Sequence, residues 1–169
     1  MTDAQELDLQ CSVMPSVTIY SDGSFKPALN TGGYGSIMTC NGYSRFFYGG
    51  FIQVSNNAME LLAVITPIRL LTVPCRITIV SDSKYVVDGI NNYLRNWVAN
   101  GWKKTGGGVI ANEQLWREMW EFCQHHIINA VWVKGHSSNF NNSICDNLAT
   151  IGAYSMVDAR VPGHLQNRR

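Results

Sequence analysis

The sequence predicts an α/β fold built on five strands of mixed direction. Three observations carry that expectation. Asn41-Gly42 separates two apolar, aromatic runs, the strongest short signal for an antiparallel hairpin. The β-branched run Arg76–Val80 leads straight into a helical pattern, and a further strand follows at Ile127–Val133. A strand-helix-strand unit of that kind implies parallel pairing with a right-handed crossover.

The elements follow in order. Residues 1–14 are polar and form an N-terminal extension. Val17–Tyr20 is a short β-branched and aromatic run, read as the first strand. Gly32-Gly33 signals a turn before the second strand, Tyr34–Cys40, and the third is Tyr43–Phe51. These three form a meander. A helix then starts at a Ser55 or Asn56 cap, with Met59, Leu62, Ala63 and Ile65 as its apolar stripe. Pro67 lacks a backbone N–H and clashes with the preceding turn, so the helix kinks or ends there. After the fourth strand a helix begins near Asp82. Residues 93–104 are polar and aromatic, and Thr105–Gly108 reads as a flexible loop. Asn112–Gln124 is amphipathic, with Leu115, Met119 and Phe122 on one face. Asn142–Tyr154 is the last helix, and residues 156–169 form a C-terminal tail.

A chain of 169 residues is the usual size of one domain, here residues 15–155. No apolar run is long enough to span a membrane. The acidic N-terminus lacks a signal peptide's basic-then-apolar order, so a cytoplasmic location is expected. Five cysteines without a CxxC pair argue for reduced thiols, not for disulfides or zinc. No long apolar seam is evident, so the chain is expected to be a monomer without an obligate protein partner.

Four carboxylates stand out. Asp22 lies in Tyr20-Ser21-Asp22-Gly23-Ser24, and Glu60 in Asn56-Asn57-Ala58-Met59-Glu60. Asp82 lies in Val80-Ser81-Asp82-Ser83, and Asp146 in Cys145-Asp146-Asn147-Leu148-Ala149. Two end strand-like runs and two sit on helical patterns, an arrangement that gathers them at one sheet edge. Clustered carboxylates repel one another and lose solvation, so a cation must offset them. Hard oxygen ligands select Mg²⁺, with Mn²⁺ the alternative. A pair of such ions is a phosphoryl-transfer device. Between residues 15 and 155 there are ten Lys or Arg and eight Asp or Glu. With the four acids neutralised, ten basic residues face four acidic ones, a balance that suits a polyanion.

These motifs, with Gly32-Gly33-Tyr34-Gly35, Ser81-Asp82-Ser83-Lys84-Tyr85-Val86 and Trp132-Val133-Lys134-Gly135-His136, stand in the order of type 1 ribonuclease H. The resemblance covers roughly residues 15–155. It implies strand order 3-2-1-4-5, flanking helices, and hydrolysis of the RNA strand of RNA–DNA hybrids. Two Mg²⁺ ions would act with substrate, leaving 3′-OH and 5′-phosphate ends. Asp22 would bridge both ions, Glu60 and Asp82 would complete one shell, and Asp146 the other. His136 matches the family's mobile-loop histidine, which assists proton transfer or product release. Ser138 stands where the family commonly has glycine. Gly23, Ser24, Ser55, Asn56, Asn57 and Lys84 are implied substrate contacts. Trp97, Trp102, Lys103 and Lys104 resemble the basic protrusion that holds the DNA strand. Lys26-Pro27-Ala28 departs from the family's polar pattern. Two alternatives stay open: a weak or inactive hybrid-binding module, and a nuclease of this fold with another nucleic-acid substrate.

Overall fold

A computed structural model describes residues 14–135 and 139–158. Five strands form one sheet: β1 (Ser16–Lys26), β2 (Thr31–Cys40), β3 (Tyr43–Ile52), β4 (Arg76–Ser81) and β5 (Ile127–Trp132). Their order is β3-β2-β1-β4-β5. β1, β2 and β3 pair antiparallel, and β4 and β5 extend the sheet in parallel from β1. The helices are α1 (Asn56–Ile68), α2 (Lys84–Asp88), α3 (Leu94–Ala99), α4 (Glu113–His125) and α5 (Phe140–Asp158). Both the mixed sheet and the order 3-2-1-4-5 match expectation.

The Asn41-Gly42 hairpin turn is present, with φ of 50° and 80°. The first strand is longer than its apolar run. β1 continues through Ser21, Asp22, Gly23 and Ser24, which pair with Ser36, Gly35, Tyr34 and Gly33. Hydrophobic patterning misses this extension because Ser21, Asp22 and Ser24 are polar yet buried. Gly32-Gly33 lies inside β2 and is not the turn. The reversal is a single 3₁₀ turn, Pro27–Leu29, closed by Asn30 at φ 50°. Gly33 is small for a packing reason: a Cβ there would overlap the Ala149 carbonyl of α5.

α1 is capped by Ser55, whose hydroxyl accepts from the Ala58 N–H at 3.2 Å. Asn56 and Asn57 are exposed in its first turn and cap nothing. The helix ends one residue after Pro67. Leu61, not Leu62, is fully buried, and Val64, Ile65 and Ile68 join it. Such breadth follows because α1 packs on both the sheet and α4, so more than one narrow stripe must be apolar. With Val17, Ile19, Ile77, Ile79, Trp116 and Met119 it builds the larger core. Trp116, absent from the expected stripe of α4, is completely buried. On the other face α5 lies close to β1, β2 and β3 through Cys145, Ala149 and Ala153, all at 0% exposure. α5 runs to Asp158, three residues into the expected tail.

Residues 89–104 are more regular than their polarity indicates. A π-helical segment, Gly89–Tyr93, joins α2 to α3. Within it Asn91 donates to the Ala130 carbonyl at 2.7 Å and accepts from the Ala130 N–H at 3.2 Å. One amide thus satisfies both groups of an edge-strand residue. The glycine loop after α3 is also closed. Lys104 N–H donates to Gly108, and Gly107 N–H donates to Lys104, each at 2.8 Å.

Candidate active site

The sheet brings acids from three elements together. Asp22 comes from the central strand β1, Glu60 from the second turn of α1, and Asp82 from the residue after β4. One carboxylate oxygen from each lies within 4.8 Å of the other two. Asp146, on α5, is outside this mutual group, but its charge raises the Asp22 pKa.

Each acid has a local reason for its place. Gly23 N–H donates to Asp22 Oδ1 at 2.8 Å. Asn56 Nδ2 donates to Glu60 Oε1 at 3.4 Å, while Glu60 Oε2 is buried without a hydrogen-bond partner. Ser83, not Asp82, caps α2, accepting from the Val86 N–H at 3.4 Å. That leaves the Asp82 carboxylate to face the cluster. Its backbone carbonyl accepts from Trp132 Nε1 at 3.0 Å.

Electrostatics show what the cluster lacks. Burial, then the charges of Asp82 and Asp146, push Asp22 up to about 7. Burial, then Asp22 and Asp82, push Glu60 up to about 9. Carboxyls placed together in low dielectric hold protons unless another cation offsets them. The orphaned Glu60 oxygen and the all-oxygen donor set fit a hard divalent cation. Lone lysines or arginines do not serve here: neither acid is lowered by a basic side chain.

Comparison with known proteins agrees with this geometry. The RNase H family model matches residues 14–154. The chain belongs to the ribonuclease H family. It is 38% identical over 153 residues to a ribonuclease H of Aliivibrio salmonicida (strain LFI1238), covering 89% of this chain and 98% of that one. It is 42% identical over 133 residues to that of Francisella tularensis subsp. novicida (strain U112), covering 79% and 88%. A crystal structure of a type 1 RNase H with the type 2 active-site motif superposes with a TM-score of 0.75 at 27% identity, covering 85% of this chain and 74% of that one. Ribonuclease H activity is therefore the enzymatic assignment of this chain. No helix among the described residues is long and apolar enough to cross a membrane.

The other residues expected at the site from the sequence are placed as follows. Gly23 is half-buried with its missing Cβ directed at Glu60, and Ser24 is buried. Ser55, Asn56, Asn57 and Lys84 are exposed, and Asn56 bonds Glu60. Lys84 Nζ sits 5.4 Å over the Trp132 ring. Lys103 and Lys104 are exposed beyond α3. Trp97 and Trp102 pack against the core and are only partly accessible. Trp97 meets Trp116 edge-on at 5.3 Å, and the Arg117 guanidinium covers Trp102 at 4.4 Å. His136 and Ser138 lie outside the described residues. Sequence reasoning does not single out Trp132 or Gly135, although both stand in the Trp132–His136 motif. Their significance lies in contacts with Asp82, which no spacing reveals.

Proposed function

We propose that this ribonuclease H cuts the RNA strand of RNA–DNA hybrids with two Mg²⁺ ions, leaving 3′-OH and 5′-phosphate ends. The Asp22–Glu60–Asp82 group carries the proposal, because three oxygens within 4.8 Å form one ligand set. Asp22 would contact both ions, Glu60 and Asp82 would complete one shell, and Asp146 the other. When bound, the ion pair supplies a water nucleophile at neutral pH and charge stabilisation at the leaving oxygen. Mn²⁺ fits the same donors.

The chain's own residues do the rest. Glu60 is anchored at one oxygen by Asn56 and keeps the other free for a ligand. It also stands where a ribose 2′-OH would distinguish RNA from DNA. Asn56 and Asn57, exposed in the first turn of α1, present amides to the minor groove. Gly23 and Ser24 bring β1 close to the RNA backbone. Ser55 helps hold a DNA phosphate, and Lys84 meets another. Lys103 and Lys104 form the basic face of the protrusion toward the DNA strand, which Trp97 and Trp102 support from beneath. His136 moves the proton at the leaving group or assists product release. The protein acts in the cytoplasm as a monomer.

The test is cleavage of a labelled RNA–DNA hybrid in Mg²⁺, in Mn²⁺ and in EDTA, beside RNA–RNA and DNA–DNA duplexes of the same sequence. Metal-dependent cutting of the hybrid's RNA strand alone is expected. Cutting of another duplex, or hybrid binding without cutting in either metal, overturns the proposal.

A further inference from the structure

Asp82 differs from its two partners in how it is held. Asp22 is embedded in the central strand. Glu60 rests on α1 and is bonded by Asn56. Asp82 lies just beyond β4, before the Ser83 cap, where neither a ladder nor a helix fixes it.

Three contacts from the end of β5 supply that support. Val133 N–H donates to the Ser81 carbonyl at 3.0 Å, extending the β4–β5 pairing past the last strand residue. Trp132 Nε1 donates to the Asp82 carbonyl at 3.0 Å. Gly135 then abuts the side chain itself: a Cβ there would overlap Asp82 Oδ2. Gly135 does not have a left-handed φ. Its backbone conformation is open to any residue, so the carboxylate, not the chain path, accounts for the glycine. The flexible atom that would yield to a Cβ is a carboxylate oxygen of Asp82, one of the three proposed ligand residues.

We propose that Trp132 and Gly135 are positioning residues for Asp82. Trp132 fixes its main chain through the indole N–H, and Gly135 leaves the space that Asp82 Oδ2 occupies. The inference rests on the metal-binding reading of the three acids. Partners that orient a ligand without touching the metal commonly change affinity by about 10–100-fold when lost.

The test compares wild type, Trp132→Phe and Gly135→Ala, each titrated with Mn²⁺ alone by calorimetry and melted in EDTA. Trp132→Phe keeps a ring beneath Lys84 but removes the donor. Both variants are expected to bind Mn²⁺ about tenfold more weakly. At saturating metal, KM for the hybrid should stay near wild type. Should Gly135→Ala unfold in EDTA, Trp132→Phe decides alone. Wild-type Mn²⁺ affinity in a folded Trp132→Phe or Gly135→Ala overturns that residue's positioning role. A wild-type chain that binds no Mn²⁺ overturns the metal reading itself.

Discussion

Gly23 and Glu60 touch so closely that no other residue fits between their elements. A Cβ on Gly23 would stand 2.7 Å from the Glu60 nitrogen and 2.9 Å from its carboxyl carbon. β1 and α1 therefore meet at the point where each contributes an acid. Gly23→Ala must push α1 and the Glu60 side chain away. A stability loss of about 1–3 kcal/mol is expected from overpacking, together with a larger loss of hybrid cleavage. Denaturant melts and cleavage assays on one preparation check both. Full activity would show that Glu60 need not sit where it does.

The metal-free protein should lose stability as pH rises. Asp22, raised from 3.8 to about 7, and Glu60, raised from 4.5 to about 9, bind protons more tightly folded than unfolded. Their favourable contribution is complete below the unfolded values and disappears as pH passes the folded ones. Melting in EDTA should therefore show a decline that extends to about pH 9, and Glu60→Gln or Asp22→Asn should flatten it. Mg²⁺ should restore most stability at the alkaline end, since metal displaces the protons. Asp22→Asn should also abolish cleavage while leaving the fold intact. A flat wild-type profile in EDTA would contradict the burial of the two carboxyls.

Lys103 and Lys104 are exposed, and the turn carrying them is closed by two backbone hydrogen bonds at Lys104. Replacing both with Ala should weaken hybrid binding without unfolding the protrusion, whose tryptophans pack elsewhere. The slope of log K against log salt should flatten by about 1–2, as for two lost phosphate contacts. Binding measured from low to moderate salt tests this, and an unchanged slope removes these lysines from the interface.

His136→Ala should lower kcat by about 10²-fold if the side chain transfers a proton in the slow step. Mn²⁺ affinity should stay at the wild-type value, because the four acids are untouched. An unchanged kcat would leave His136 without a role in turnover.

Much of this was legible before any coordinates. The mixed sheet follows from the Asn41-Gly42 turn and from the strand-helix-strand order, since both depend on local chain geometry. The four acids declare themselves through short motifs, which can be read along the chain one at a time. Two features were less transparent. Gly32-Gly33 has turn composition, yet it lies in β2 so that α5 can approach. Asp22 belongs to a strand whose apolar run ends two residues earlier, because buried polar residues do not follow hydrophobic alternation.

By itself, then, the sequence determined the strand types, the hairpin and the start of α1, and it singled out the four acids as candidate ligands. All of these depend on residues close together in the chain. Only the tertiary structure decided that Asp22, Glu60 and Asp82 lie mutually within 4.8 Å while Asp146 lies outside that group and acts on Asp22 through its charge. It also decided that Gly23 serves Glu60 and that Trp132 and Gly135 attend Asp82. Those close approaches join residues 22 to 60 positions apart, where packing sets the distance and no local pattern records it.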